Sequence, residues 1–96
     1  MHNDNIRKHL KITGRVQGVG YRYFTRQNAE DLNLKGWVKN MPDGSVETVL
    51  SGRSDDVEEM IERLWKGPYS AQVKNIEQLK METEPEGDYQ YFRVKR

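Results

Sequence analysis

Three glycines lie among nine residues in the segment GRVQGVGYR, residues 14–22, which ends on Arg22. The flanking patterns predict a strand before this segment and a helix after it. Backbone N–H groups in such a loop can converge on an anion, and the dipole of the following helix favours negative charge. Gly18 and Gly20 permit backbone angles that side chains disfavour, and Arg22 can offer a fork of donors to the same oxygens. The segment is therefore a candidate anion site. A tight turn followed by a surface arginine would explain it equally well.

Two familiar nucleotide-binding motifs do not fit this segment. A P-loop needs a lysine followed by Ser or Thr after its second glycine, and the segment has no lysine. The dinucleotide fingerprint G-x-G-x-x-G matches at Gly18 and Gly20, but Tyr23 occupies the position of its third glycine. The sequence thus excludes nucleotide binding through either motif.

The spacing of polar and apolar residues predicts the strands and helices that position this segment. Polar and apolar residues alternate over 8–13, which predicts a half-buried strand, and the apolar spacing predicts helices over 21–34 and 54–66. In the second helix Ser54 is the predicted cap, and Gly67-Pro68 ends the element. The turn signal in NMPDGS joins two strands over 36–51 into a hairpin, and further strands are predicted around 71–81 and 91–95. Trp37 and Trp65 are interpreted as core aromatics.

This order, βαββαβ with an additional C-terminal strand, predicts an α+β two-layer sandwich of ferredoxin-like type. We expect a mostly antiparallel sheet with two helices on one face. The 96 residues form a single predicted domain, 1–96, with a flexible N-terminal tail over 1–6.

Composition excludes several classes of function. The net charge of +1 argues against a dedicated nucleic-acid or membrane surface, and the absence of cysteine excludes disulfides, thiolate chemistry and cysteine-bound zinc. Acidic residues between 55 and 62 could suggest a metal cluster, but we interpret them as the solvated start of a helix. We predict no metal site and no cofactor. A cytoplasmic monomer is the default expectation.

A second long motif strengthens the functional interpretation of the first. GWVKNMPDGSVETVLSG, together with GRVQGVGYR, resembles the acylphosphatase family in residue types, order and separation. The resemblance implies an acylphosphatase, a hydrolase that converts acyl phosphates into a carboxylate and inorganic phosphate. Carried over by position, Arg22 would bind the phosphoryl group. The backbone amides of the loop would assist it, at Arg15, Val16, Gln17, Gly18, Val19 and Gly20. Asn40 would orient the attacking water, although an Asn before a turn could instead only cap the hairpin.

The chemistry is consistent with these residue types. An acyl phosphate releases a carboxylate, whose conjugate acid has a pKa near ~4, so that no strong general acid is needed. A phosphate ester would release an alkoxide and would need an acid or a metal. The loop contains no His, Asp, Glu, Cys or Lys, so it suits the labile anhydride. Inorganic phosphate should then be both a product and a competitive inhibitor.

Two binding modules are the alternatives. One is an RNA-binding domain on the ferredoxin-like fold, and the other is a phosphate-binding domain without turnover. KGWVKN begins like an RNA-binding signature but lacks the aromatics that should follow it, and the balanced charge offers no basic patch. We therefore expect an enzyme with a small-molecule acyl phosphate substrate, acting without nucleic acid or membrane.

Overall fold

The structure is a computed structural model that describes residues 4–96. The strands and helices occur in the predicted order: β1 (Asn5–Arg15), α1 (Tyr21–Asp31), β2 (Lys35–Asn40), β3 (Val46–Arg53), α2 (Ser54–Lys66), β4 (Gln72–Thr83) and β5 (Phe92–Lys95). The ferredoxin-like α+β fold with an additional final strand is confirmed.

The five strands form one mixed sheet in the order β4-β1-β3-β2-β5. β1 is antiparallel to β3 and β4, and β2 is antiparallel to β3, whereas β5 runs parallel to β2. In that parallel pair Lys39 lies opposite Lys95, so the end of β5 reaches the end of β2. Neither helix in the described part of the chain is long and apolar enough to cross a membrane.

The core lies between the sheet and the two helices. Leu10 and Ile12 of β1 are buried, as the alternation predicts, and they belong to one apolar cluster with Val57, Met60 and Leu64 of α2. Tyr21, the first residue of α1, is also fully buried, and its hydroxyl donates to the carbonyl oxygen of Leu64 at 2.6 Å. Burial raises the pKa of Tyr21 well above its ordinary value. This contact fixes the start of α1 to the end of α2.

Four details differ from the sequence prediction. β1 begins at Asn5, so the predicted tail is wrong for residues 5 and 6, and its first three residues lie outside the described part. Ser54 is the first residue of α2 rather than its cap, which is Arg53. Trp65 is 46% exposed and is not a core residue. Trp37 is only partly buried and contacts His9, with ring centroids 5.4 Å apart, outside the core cluster.

Candidate active site

The glycine segment forms the loop between β1 and α1. Gly18 and Gly20 have φ angles of 74° and 78°, in the left-handed region that favours glycine. A Cβ atom at either position would meet no atom within 4 Å, so the space beside the loop is open. Among the hydrogen bonds of residues 4–96, none uses the backbone N–H groups of residues 17–20 as donors. These donors, at the N-terminus of α1, are available to a ligand.

The loop borders a cavity of about 500 Å³. Its polar and glycine lining comes from Gly18, Gly20, Arg22, Arg26, Asn40 and Arg96. Its apolar and aromatic lining comes from Val16, Tyr21, Tyr23 and Val94. As far as residues 4–96 are concerned, the side chains of this lining include three guanidinium groups and no Asp, Glu or His. The cavity therefore suits an anionic ligand.

Arg22 lies in the first turn of α1 and is fixed by the neighbouring strand. Its Nη1 atom donates to the carbonyl oxygen of Lys95, at the end of β5, over 3.0 Å. A guanidinium has five N–H donors, so this bond leaves others for a ligand. The bond sets the direction of the side chain before any ligand binds.

Asn40 is the last residue of β2 and lies opposite Val46 of β3. Its side chain lines the same cavity as Arg22. The Oδ1 atom is buried and accepts no hydrogen bond from the described residues. Because buried polar atoms are nearly always hydrogen-bonded, this oxygen indicates a position for a bound water or ligand group.

Gln17 joins the glycine loop to the β2–β3 turn. Its Nε2 atom donates to the carbonyl oxygens of Met41 at 2.9 Å and of Ser45 at 2.8 Å. The N–H of Met41 donates to the same Ser45 carbonyl at 2.8 Å, which closes the turn. The loop that carries the free N–H groups and the turn next to Asn40 are thus held together by one side chain.

The turn itself is stabilised by Asp43. Its Oδ1 atom accepts hydrogen bonds from the hydroxyl of Ser45 at 2.5 Å and from the Ser45 N–H at 2.9 Å, while Lys11 lies 3.0 Å from Oδ2. The Ser45 bonds, and then Lys11, hold the pKa of Asp43 well below its ordinary value. Asp43 therefore remains an ionised acceptor that keeps the turn closed.

The structure brings together most of the residues that the sequence singled out. Arg22, Asn40, Gly18, Gly20 and Val16 all line the cavity. The other three loop residues do not line it. Arg15 pairs with Gln72 at the end of β1, Val19 packs against the core, and Gln17 contacts the β2–β3 turn.

The sequence reasoning missed two of the three arginines. Arg26 follows Arg22 by four residues on a helix, and this spacing was a usable signal because such residues share a face. Arg96 gave no signal, because its position depends on the parallel pairing of β5 with β2. Within residues 4–96, no three His, Cys, Asp or Glu side chains lie close enough together to hold a metal ion.

Comparison with known proteins decides the family. The acylphosphatase family model matches residues 8–94. The chain belongs to the acylphosphatase family. It is therefore a hydrolase of the acylphosphatase class, as the two motifs implied.

Individual relatives agree along nearly the whole chain. An acylphosphatase from Trichormus variabilis is 50% identical over 91 residues, covering 95% of this chain and 87% of the relative. Among solved structures, an acylphosphatase from Coxiella burnetii is 41% identical with a TM-score of 0.83, covering 97% of this chain and 94% of that one. An acylphosphatase from Bacillus subtilis is 32% identical with a TM-score of 0.89, covering 95% and 99%. The similarity thus includes both motifs and all five strands.

Proposed function

We propose that this protein hydrolyses acyl phosphates to a carboxylate and inorganic phosphate, without a metal ion. In this mechanism Arg22 and the loop amides bind the phosphoryl group, and Asn40 orients the attacking water. The observation that carries the proposal is that Asn40 lines the same cavity as Arg22 and that its buried Oδ1 has no hydrogen-bond partner in the described chain. The chain thus offers an anion site and a water site within one cavity.

The phosphoryl group is bound by donors that are already in place. The sequence assigned the amides of residues 15–20 to this role, and the free N–H groups of residues 17–20 support the assignment best. Arg22, held by the Lys95 carbonyl, adds charged donors from the first turn of α1. During in-line transfer negative charge spreads over the phosphoryl oxygens, and fixed donors stabilise that charge without reorganising.

The water donates one hydrogen bond to Oδ1 of Asn40, so that its lone pair points at phosphorus. The new bond forms between the water oxygen and phosphorus, and the bond between phosphorus and the acyl oxygen breaks. The carboxylate leaves with that electron pair and needs no proton, because its conjugate acid has a pKa of about 4. One water proton passes to a phosphoryl oxygen, which serves as the base.

The donor set of the cavity is the reason for omitting a metal. Hard divalent cations bind through carboxylate and carbonyl oxygens, whereas this lining supplies guanidinium groups. Positive charge that a metal would provide in other phosphoryl-transfer sites is here provided by arginine. The proposal also includes no cofactor, nucleic acid or membrane, and it assigns the activity to a cytoplasmic monomer.

The test is hydrolysis of benzoyl phosphate in excess chelator by the wild type and by Asn40→Ala. We expect the wild type to be active. Asn40→Ala should lower kcat by about 10²-fold or more, because a fixed polar group is lost from the transition state. The inhibition constant of inorganic phosphate should change by less than about threefold, since Arg22 and the loop remain. Asn75→Ala, the same substitution on exposed β4, is the matched control and should retain wild-type kcat.

Other outcomes would refute specific parts of the proposal. If Asn40 only caps the hairpin, Asn40→Ala would lose about 1 kcal/mol of stability and keep its kcat. Activity that chelator removes and a divalent ion restores would refute the metal-free mechanism. A folded wild-type protein that binds phosphate without accelerating hydrolysis would be the non-catalytic phosphate-binding module.

A further inference from the structure

Trp37 contacts the end of β5 on the face of the sheet turned away from the helices. Because Val38 is buried in the core, the side chain of the preceding residue points to the opposite face. The ammonium nitrogen of Lys95 lies 4.5 Å from the centroid of the Trp37 ring, which is the geometry of a cation–π interaction. The ring of His9 meets the indole at an angle of 68°, and the Thr48 hydroxyl donates to the Trp37 carbonyl oxygen at 2.7 Å. The indole is therefore held in place beneath Lys95.

Lys95 is also the residue whose backbone fixes Arg22. Its carbonyl oxygen accepts the 3.0 Å hydrogen bond from Nη1 of Arg22. One residue thus contacts the indole with its side chain and the arginine of the cavity with its backbone. Lys95 is the last residue of β5, and the ends of such elements open more readily than their centres. A contact that holds this end closed also holds the carbonyl oxygen to which Arg22 donates.

The strand pairing alone holds the end of β5 weakly. β5 has four residues and is an edge strand, so that β2 is its neighbour on one side and solvent lies on the other. The residue of β2 opposite Lys95 is Lys39, and like charges at opposite positions destabilise strand pairing. Trp37 lies two residues before Lys39 on the same face. The contact with Trp37 therefore offsets the repulsion between the two lysines.

From these observations we infer that the contact between Trp37 and the Lys95 side chain positions Arg22 from the opposite face of the sheet. This inference rests on the proposed function, because Arg22 is there the side chain that binds the phosphoryl group. Trp37 touches neither the substrate nor the reacting atoms. It is a positioning residue that acts through the Lys95 carbonyl oxygen, which keeps the guanidinium directed into the cavity.

The first test removes the charge of Lys95 and measures hydrolysis of benzoyl phosphate. Lys95→Met keeps the backbone carbonyl and the length of the side chain, and it should lower kcat/KM by about threefold to tenfold through loss of the cation–π interaction. Lys95→Arg returns a cation to the ring and should keep about half or more of the wild-type value. Arg93→Met removes the same charge from an exposed position two residues earlier on β5 and should match the wild type.

A double-mutant cycle with Trp37→Leu shows whether the charge acts through the ring. Trp37→Leu should lose about as much kcat/KM as Lys95→Met, and the double variant about as much as either, because both changes remove one shared interaction. If the contact only supported the fold, these variants would melt at lower temperature and keep their kcat/KM in an assay well below melting. That result, or losses that simply add, would overturn the inference.

Phosphate binding separates the failure of this inference from the failure of the proposed function. Calorimetric titration with inorganic phosphate reports on Arg22 without turnover. Lys95→Met should weaken the affinity by about threefold to tenfold, and Arg93→Met should leave it unchanged. If the wild type did not hydrolyse benzoyl phosphate, the proposed function would fail, and these affinities would still decide whether Lys95 positions Arg22. An unchanged affinity in Lys95→Met, or an equal loss in Arg93→Met, would overturn the inference.

Discussion

Arg22 makes one hydrogen bond to the protein and offers its remaining donors to the cavity. If these donors bind the phosphoryl group, Arg22→Gln should lower kcat/KM on benzoyl phosphate by about 10³-fold and weaken phosphate inhibition by tenfold or more. Arg22→Lys keeps the charge, but an ammonium group cannot hold the phosphoryl oxygens as a planar fork does. We therefore expect the lysine variant to lose at least about 10²-fold. Steady-state kinetics with melting curves checks both variants.

Comparing Arg22→Gln with Arg22→Lys separates the effect of the guanidinium geometry from the effect of its positive charge. Both variants should melt close to the wild type, because the bond to the Lys95 carbonyl is a single, only partly buried contact. A lysine variant with most of the wild-type activity would mean that Arg22 acts only as a point charge. The bidentate role would then have to be abandoned.

At the scale of single residues, the sequence singles out a candidate where it lies within a continuous motif. Arg22 and Asn40 belong to segments whose glycines and turn residues indicate a loop and a hairpin, and the structure places both in one cavity. The sequence could not predict that Oδ1 of Asn40 lacks a hydrogen-bond partner, because this depends on how β2 and the glycine loop pack together. Arg96 was unpredictable for the same reason, since the parallel register of β5 brings it there.

Among the elements, the contact between the glycine loop and the β2–β3 turn determines how the site is assembled. Gln17→Ala removes two partly buried hydrogen bonds to carbonyl oxygens and should cost about 1–3 kcal/mol of stability. The loop would no longer be fixed relative to Asn40, so we expect kcat to fall by about tenfold, because small misplacements are costly in catalysis. Denaturant unfolding and kcat on benzoyl phosphate measure the two effects.

A matched change on the sheet edge provides the control for this prediction. Gln72→Ala removes the same side chain from an exposed position on β4 and should affect neither quantity. A Gln17→Ala variant with lower stability but normal kcat would show that the contact only supports the fold.

The two wrong predictions about tryptophan show where periodicity loses information. Trp65 follows Val57 by eight residues, which at 3.6 residues per turn places it about 80° away, at the edge of the apolar stripe. Leu64 and Met60 fill the centre of that stripe and are fully buried, so Trp65 remains exposed. Adjacent strand residues point to opposite faces, and because Val38 is buried in the core, Trp37 must lie on the other face.

For the molecule as a whole, β2 is the strand whose integrity matters most, because it joins β3 to β5 and ends at Asn40. Gly36 has a φ of 137°, and a Cβ there would collide with the carbonyl oxygen of Val49. Gly36→Ala should therefore destabilise the fold by roughly 3 kcal/mol, through backbone strain and overpacking. It should also abolish activity at temperatures where the wild type is stable.

Gly44 provides the matched control for Gly36. It has a φ of 92°, but a Cβ there would meet nothing within 4 Å. Gly44→Ala should cost only about 1 kcal/mol, which is the strain of the left-handed region alone. Chemical denaturation of the two variants gives the difference directly, and equal losses would show that the collision with Val49 is relieved by a small shift of the strands.

The hydrogen bond between Arg22 and the Lys95 carbonyl also has a kinetic consequence. It joins residues that are 73 positions apart, and closing so long a stretch of chain is entropically costly and slow. Helix α1 and the hairpin can form from local contacts well before β5 docks beside β2. During refolding, secondary structure would therefore return earlier than catalytic competence, because the arginine acquires its orientation only when the last strand docks.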